Sequence, residues 1–280
     1  MPAEEFAAAR VPDHRAATGH PGDTAGAHTD LRYLQRTPAG AEYVRQIDEN
    51  ESDRRARSTF REIVLSIAPP GGALFDFGAG PGLDARFFAE RGFTVGAYDV
   101  DPRMREFFAD HCRNFIDSGR VTLDRGTYRE FVTSDTTDHR RRADLVISDF
   151  APLNIVDDLP ELFAKFHALT NSQGKVLASV LSPCFIDDLR TRWWWRGAPR
   201  LWRDGQLFLP GPQAPHYRRM LDHFRTVSAR HFRLTRLFRG LPPSNGGPPV
   251  GVDVSRRSRL AWLHVISCRY MFLLFEKTGC

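Results

Sequence analysis

The feature that most constrains this chain is an apolar run that passes directly into a glycine-rich loop and then into a helical segment. Residues 74–82 read LFDFGAGPG, and the pattern of residues 83–91 predicts a helix that ends at Gly92. A strand, a glycine loop and a helix in this order let a ligand approach the backbone at the carboxyl end of the strand. The segment therefore predicts a nucleotide-type binding site on an α/β fold.

Strands and helices alternate along most of the chain. Apolar runs predict strands at residues 73–77, 93–98, 121–123, 144–148, 175–181, 232–238 and 270–277. Helical periodicity predicts helices at residues 83–91, 103–116, 159–170 and 258–268, with a turn at 171–174 and a loop at 241–252. This alternation indicates a mainly parallel sheet with helices on both faces.

Composition divides the chain into three regions. Residues 1–30 contain few large apolar groups and are predicted to be a disordered tail, whereas 31–72 are predicted to form N-terminal helices. Residues 73–280 are predicted to be one domain with an irregular cap insertion at 182–230, which holds four of the five tryptophans. No run reaches the ~18 apolar residues of a spanning helix. With no recognisable signal peptide, the expected location is cytoplasmic.

The four cysteines contain no Cys-x-x-Cys pair and have no histidine at metal-ligand spacing. We expect reduced, mostly buried thiols and no metal site.

Two ligand classes use a loop of this kind, and the local residues separate them. Dinucleotides prefer Gly-x-Gly-x-x-Gly with pyrophosphate on the helix N-terminus, but here Leu83 occupies the position of the third glycine. Asp76 lies two residues before Gly78, where it would repel a pyrophosphate. S-adenosylmethionine carries an ammonium and a sulfonium and no phosphate. Charges ~4 Å apart interact by roughly 1 to 4 kcal/mol, which favours that ligand.

Three segments in succession resemble the motifs of class I S-adenosylmethionine-dependent methyltransferases, particularly the small-molecule branch. They are residues 76–82 (DFGAGPG), 96–104 (GAYDVDPRM) and 143–148 (ADLVIS). The resemblance covers about residues 73–181. It implies a doubly wound Rossmann-like sheet of seven strands, mostly parallel with the last strand antiparallel, and S-adenosyl-L-methionine as cofactor.

The charge argument and the resemblance together predict the residues that bind the cofactor. They are Asp76, Gly78, Ala79, Gly80, Asp99, Val100, Thr127, Tyr128 and Ser148. The resemblance implies that residues 78–80 face the methionine half, that Asp99 contacts the ribose and that Val100 packs near adenine. Asp99 alone does not discriminate, because dinucleotide sites also have an acid there. Thr127 stands where the family often has an acid for the adenine amino group.

Residues 148–154 follow the fourth predicted strand and should approach the transferring methyl group. They do not match the Asn/Asp-Pro-Pro-Tyr pattern of many enzymes that methylate amino groups of DNA bases or protein glutamine. A base is needed only if the acceptor must lose a proton. The predicted catalytic candidates are Asp149 and His216, with His223 as a further histidine.

The cap insertion is predicted to bind the acceptor. Its tryptophans suit a flat or apolar molecule, and Arg190, Arg192, Arg196, Arg200 and Arg203 suit an acidic group. We therefore expect a bulky, partly apolar small molecule with an acidic group, methylated on oxygen or carbon. An equally weighted interpretation makes the tryptophans the core of the cap and leaves the arginines solvated.

Residues 182–280 have 17 Arg or Lys against 6 Asp or Glu, so an RNA acceptor is a second hypothesis. It is less favoured because no recognised nucleic-acid module accompanies the domain. The sequence also leaves open a dinucleotide oxidoreductase, which Leu83 and Asp76 disfavour, and a non-catalytic protein that binds S-adenosylmethionine. It does not indicate an oligomeric state.

Overall fold

The three-dimensional structure is a computed structural model that describes residues 40–134, 142–209, 216–241, 247–254 and 267–278. The predicted tail at 1–30 and most of the predicted helix at 258–268 lie outside these residues. Among the helices that are described, none is both long enough and apolar enough to cross a membrane.

Within the described residues, the helices Gly40–Glu49 and Glu51–Ile67 precede the sheet. Asn50 separates them because its side chain accepts hydrogen bonds from the N–H groups of Ser52 and Asp53 and so caps the second helix. That helix buries an apolar stripe, in which Phe60 meets Phe272 of the sheet edge-on with 5.3 Å between ring centroids. The stripe fixes the helix against one face of the sheet.

Ten strands are described. They are β1 (Ala73–Phe77), β2 (Thr94–Tyr98), β3 (Val121–Asp124), β4 (Ala143–Ser148), β5 (Thr170–Leu181), β6 (Gln206–Leu209), β7 (His216–Arg219), β8 (Phe232–Arg239), β9 (Val252–Asp253) and β10 (Tyr270–Lys277). The main sheet has the order β3-β2-β1-β4-β5-β10-β8-β9, and β6 pairs with β7 in a separate hairpin. Strands β1 to β5 are parallel, whereas β10 is antiparallel to both β5 and β8.

The doubly wound Rossmann-like sheet and the antiparallel last strand confirm the predicted fold class. The strand count differs by one because the two-residue strand β9 pairs with β8 at the edge of the sheet. The crossover helices are Leu83–Ala89, Pro102–His111, Arg113–Asp117, Tyr128–Thr133 and Leu159–Leu169. Their apolar faces pack on both sides of the sheet, where Phe77 meets Phe166 with ring centroids 5.3 Å apart.

The predicted turn at 171–174 was wrong, because these residues lie inside β5. Ala143 pairs with Thr170 while Leu145 pairs with Lys175, so β5 carries extra residues within the ladder. Asn171 accepts a hydrogen bond from the N–H of Gln173 at 3.0 Å, which is local turn chemistry embedded in a strand. The residues therefore form the local hydrogen bond of a turn, as their types indicate, but they remain part of the strand.

The expectation of an irregular cap at 182–230 was also wrong. The cap contains the helix Arg192–Asp204, the β6–β7 hairpin and the helix Leu221–Ser228. The first of these helices buries Trp194, Gly197, Ala198 and Leu201 on one face. Its proline and bulky tryptophans concealed this spacing of three to four residues.

Arg219 joins the cap to the main domain. This residue is fully buried and donates to the carbonyl oxygens of Leu153 and Val156, each at 2.6 Å, and to Oε1 of Gln206 at 3.2 Å. Burial lowers the pKa of Arg219 to about 10. Its guanidinium therefore satisfies carbonyl groups in the segment that follows β4, next to the sheet edge where a ligand is expected.

We predict that Arg219→Ala lowers the free energy of unfolding by about 3 kcal/mol, because it leaves buried carbonyl groups without a donor. Urea denaturation followed by circular dichroism measures this change. Arg203→Ala is the control, since Arg203 is exposed and pairs with its neighbour Asp204; it should leave the curve unchanged. Equal effects of the two substitutions would show that Arg219 does not anchor the cap.

Candidate functional site

The glycine loop is fixed to the end of the neighbouring strand by backbone hydrogen bonds. The N–H groups of Gly78 and Ala79 both donate to the carbonyl oxygen of Tyr98, at 2.8 and 3.0 Å. The N–H of Gly80 donates to Oδ2 of Asp99 at 2.8 Å, and Oδ1 of Asp99 accepts from the N–H of Asp101 at 2.8 Å. Loop and carboxylate thus meet at the carboxyl edge of the parallel strands, as expected for a ligand site of this fold.

Gly78 also permits close contact with the segment after β4. Its φ is 75°, and an added Cβ would lie 2.5 Å from Cγ of Pro152. A side chain at this position would therefore meet both backbone strain and a steric clash.

The turn after β4 has an unusual backbone. Phe150 and Ala151 are consecutive non-glycine residues with positive φ, 57° and 66°. The N–H of Phe150 donates to Oδ1 of Asp149 at 2.8 Å, which helps to hold the turn. Strained conformations of this kind cluster at functional sites because the surrounding structure must enforce them.

A small cavity opens between this turn, the glycine loop and the N-terminal helices. Its charged lining residues are Arg57, Asp76, Asp84 and Asp149. Arg57 donates to Oδ2 of Asp84 at 2.9 Å, and its guanidinium lies 4.6 Å from the ring centroid of Phe150. Nε of Arg61 donates to Oδ1 of Asp84 at 2.6 Å. Two guanidinium groups therefore balance Asp84.

The other two carboxylates of the cavity are less well balanced. Oδ2 of Asp76 and Oδ2 of Asp149 are buried and have no hydrogen-bond partner among the described residues. Burial, with added repulsion from Asp84 and Asp149, raises the pKa of Asp76 well above its usual value. Burial and Asp84 raise the pKa of Asp149 to about 7, and burial raises that of Asp99 to about 6. Such a cavity favours a cationic ligand.

Comparison with known proteins gives the family. The sequence profile of the methyltransferase domain family matches residues 50–234, which is more than half of the chain. The chain belongs to the methyltransferase family. It is an S-adenosylmethionine-dependent methyltransferase, as its glycine loop and acidic residues predict. Among curated proteins, no sequence matches the chain.

Solved structures share the methyltransferase fold at low sequence identity. A TehB-like S-adenosylmethionine-dependent methyltransferase from Corynebacterium glutamicum is 13% identical, with a TM-score of 0.52, over 90% of this chain and 99% of that chain. The 1,6-didemethyltoxoflavin-N1-methyltransferase of Burkholderia thailandensis, solved with 1,6-didemethyltoxoflavin and S-adenosylhomocysteine, is 16% identical, with a TM-score of 0.54, over 93% and 94%. The pyocyanin biosynthetic protein PhzM is 14% identical, with a TM-score of 0.53, over 91% and 63%.

The methyltransferase brings most predicted cofactor residues to one edge of the sheet. Ser148 ends β4, and its buried hydroxyl has no partner among the described residues. Val100 follows Asp99 and packs against the apolar core. Tyr128 is half-buried, and burial raises the pKa of its phenol. Contacts of these side chains with the cofactor remain predictions.

Two of the predicted site residues either make another contact already or lie away from the cavity. Thr127 caps the helix Tyr128–Thr133, and its hydroxyl accepts from the N–H of Glu130 at 3.2 Å, so an adenine contact would compete with this cap. His216 begins β7 in the cap and is not among the described residues that line the cavity. Its charge acts on Asp188, which is also a residue of the cap. Catalytic roles for His216 and Asp149 stay predictions.

Sequence analysis missed Arg57 and Asp84. Arg57 shares one helix face with Phe60 and Val64, at spacings of three and four residues, and this placed a charge on the buried stripe. That pattern was a usable signal. In the part of the chain that the structure describes, no group of three His, Cys, Asp or Glu side chains is arranged to hold a metal ion.

We predict that Gly78→Ala lowers the free energy of unfolding by about 2 to 4 kcal/mol, since the left-handed backbone and the clash with Pro152 both act against the methyl group. Gly119→Ala is the matched control, because Gly119 has a φ of 74° with nothing within 4 Å of an added Cβ. It isolates the backbone penalty, about 1 to 2 kcal/mol. Chemical denaturation compares them, and equal losses would refute the close contact.

Proposed function

We propose that this methyltransferase transfers a methyl group to a bulky, partly apolar small molecule that carries an acidic group, on oxygen or carbon. The observation that carries the proposal is the cavity in which Asp76 and Asp149 lie buried with unsatisfied oxygens beside the glycine loop. S-adenosylmethionine supplies an electrophilic methyl group on its sulfonium.

The described residues provide complementary groups for each part of this cofactor. Asp76 is suited to the ammonium of the methionine half, and Arg57 to its carboxylate. The loop of Gly78, Ala79 and Gly80 allows close backbone approach. Asp99 has two acceptor oxygens for the ribose hydroxyls, and each already accepts only one backbone N–H. The orphaned Oδ2 of Asp76 supports this fit, because a buried carboxylate oxygen without a donor is costly.

Asp149 is the residue best placed to act on the acceptor. It lies at the end of β4 beside the glycine loop, and burial and Asp84 raise its pKa to about 7. A carboxylate with a pKa near neutrality can accept a proton from a hydroxyl or an activated carbon as the new bond to methyl forms. The negative charge of Asp149 also stabilises the positive sulfonium before methyl transfer. Alignment and exclusion of water supply most of the remaining acceleration.

The acceptor side of the site is aromatic and positively charged. Tyr270 meets Phe150 edge-on with ring centroids 5.6 Å apart, and the guanidinium of Arg269 lies 5.5 Å from the Tyr270 ring centroid. Arg218 is buried, pairs with Asp188 at 3.2 Å and stacks on Trp193. These residues support a flat acceptor whose anionic group is directed towards Arg269.

The arginines predicted to bind the acidic group lie elsewhere. Their side chains are exposed in the cap: Arg190, Arg192, Arg196, Arg200 and Arg203. Trp194 is buried and donates from its indole to the carbonyl oxygen of Pro183 at 2.8 Å. The interpretation in which the tryptophans form the core of the cap fits Trp194 but not Trp195 and Trp202, which are exposed, whereas the five arginines are exposed as it expects.

We predict that the affinity for S-adenosylmethionine rises with pH through about 6 to 7, the values to which burial raises the pKa of Asp99 and Asp149. The apo protein keeps these carboxyls protonated at low pH, which stabilises it there, and this contribution is lost as pH rises through the same range. The cationic cofactor needs them ionised. The gain should be up to about tenfold per pH unit, and isothermal titration calorimetry measures it.

The same titration tests Asp76. Asp76→Asn should weaken binding by about 10- to 100-fold, because a charged hydrogen bond to the ammonium is lost. Asp110→Asn is the control, since Asp110 is exposed and pairs with Arg113. An affinity that is independent of pH, or an Asp76→Asn variant that binds like the wild type, would contradict the assignment of the cavity.

We predict that Arg269→Gln raises KM for acidic aromatic acceptors by about tenfold and leaves cofactor affinity unchanged, because it removes the partner of the anionic group. The assay follows S-adenosylhomocysteine release with a panel of hydroxylated aromatic acids and their neutral amides. Arg190→Gln is the control, as Arg190 is exposed and pairs with Asp187. If the neutral amides react as efficiently as the acids, the acceptor does not need an acidic group, and that part of the proposal is wrong.

The second candidate is an RNA acceptor, and the exposed arginines and tryptophans of the cap are the observation that favours it. A salt-dependent shift of RNA on a native gel, together with methyl incorporation into RNA, distinguishes it from a small-molecule acceptor. A chain that binds the cofactor but forms no S-adenosylhomocysteine with either class would indicate a non-catalytic binding protein.

A further inference from the structure

One surface of the cap is not explained by the methyltransferase site. The helix Arg192–Asp204 packs one face on the domain and exposes the other, which we name the Arg–Trp face. Its residues are Arg192, Trp195, Arg196, Arg200, Trp202 and Arg203. Trp195 is 64% exposed and Trp202 58% exposed, whereas Trp194 on the packed face is 6% exposed. Trp202 is seven positions after Trp195, so the two exposed tryptophans lie on the same side of the helix, two turns apart.

The residues of the packed face hold the helix in place. Trp194, Gly197, Ala198 and Leu201 fill the contact with the cap, and an added Cβ on Gly197 would lie 2.2 Å from the Leu207 side chain. The helix is thus tightly held against β6. Exposed indole rings remain unfavourable in water, because burial of aromatic surface is a major source of stabilisation.

The charge of the Arg–Trp face is strongly one-sided. Asp204 is the only acidic residue of this helix, and it pairs with Arg203 at 2.7 Å. The other three arginines are exposed, and Asp204, which also interacts with Arg200, is the single negative charge that the helix sets against four positive ones. Such a face is complementary to an anionic surface that also accepts aromatic rings.

We infer that the Arg–Trp face docks the protein on the surface of an anionic lipid bilayer. This inference goes beyond the proposed function and does not depend on the acceptor. Tryptophan rings partition into the boundary between headgroups and acyl chains, while arginines on the same helix pair with lipid phosphates. The exposed tryptophans and arginines are interspersed along one side of the helix, an arrangement that suits contact with a lipid interface. Single-stranded nucleic acid binds in a positively charged groove lined with stacking rings.

Vesicle flotation with the full chain tests the inference. The vesicles contain phosphatidylcholine alone or phosphatidylcholine mixed with phosphatidylglycerol. We expect the wild type to float only with the mixed vesicles and to detach as salt is raised, because screening weakens the attraction of arginine for phosphate. Trp195→Ser/Trp202→Ser should weaken binding by about tenfold or more, since it removes the apolar groups that enter the interface.

Two double variants that lose the same number of positive charges distinguish binding through the Arg–Trp face from an effect of the net charge of the protein. Arg196→Gln/Arg200→Gln should lower the partition coefficient by about 30-fold, from the attraction of each arginine for the anionic surface. Arg129→Gln/Arg233→Gln removes the same number of charges from exposed positions on another helix and on β8, and it should retain most of the binding. Thermal melting monitors the folding of every variant.

Several results would overturn the inference. One is an equal loss of vesicle binding in the two double-arginine variants, which would show that binding depends on the net charge of the protein and not on the Arg–Trp face. Another is full binding by Trp195→Ser/Trp202→Ser. A third is absence of vesicle binding by the wild type, and in that case retention of RNA or of poly-glutamate by the same face would identify a nucleic acid or an acidic protein as the partner instead.

Discussion

The buried ion pair between Arg57 and Asp84 is the interaction on which the geometry of the site depends. It joins the helix Glu51–Ile67 to the first turn of the helix that follows the glycine loop. Arg61 reinforces it and also donates to the carbonyl oxygen of Leu83 at 2.9 Å. The loop is thereby fixed from the helix side, while Tyr98 and Asp99 fix it from the strand side.

Stability alone does not explain why charges are buried here. A buried ion pair often contributes less to folding than apolar residues of similar volume. Asp76 and Asp149 add two further carboxylates next to Arg57, and burial raises the pKa of both. The arrangement is therefore costly without a ligand. Where these carboxylates are ionised, a cationic ligand relieves the cost by placing a positive charge beside them, whereas at lower pH their ionisation subtracts from the binding free energy.

The strained turn after β4 belongs to the same arrangement. The ring of Phe150 contacts the guanidinium of Arg57 and also meets the ring of Tyr270 edge-on. Its left-handed backbone directs Asp149 and Phe150 towards the cavity rather than along the strand. Pro152 closes the turn against Gly78. Arg57 thus contacts both the helix that follows the glycine loop and the turn that carries Asp149 and Phe150.

The sequence predicted the parts of the fold that local chemistry determines. The strands Ala73–Phe77 and Tyr270–Lys277 matched residue for residue, because each is an apolar run with clear turn signals or charges at its ends. Arg57 and Arg219 could not be found in this way, since a lone arginine is usually solvated and its burial depends on partners distant in the chain. Among the described residues, the hydrogen-bond partners of Arg57 and Arg219 lie at least 27 and 13 residues away in the chain.

The arginines of the cap show why residue type alone does not assign a role. Arg218 and Arg219 follow each other in β7, and both are buried because carbonyl oxygens outside the hairpin are placed to accept their N–H groups. Arg192, Arg196 and Arg200 lie in the preceding helix Arg192–Asp204, whose packed side is filled by Trp194 and by small and apolar residues. The side chains of these three arginines are exposed. The same residue type therefore supplies both buried hydrogen-bond donors within the cap and an outward positive face, and only the three-dimensional packing separates the two.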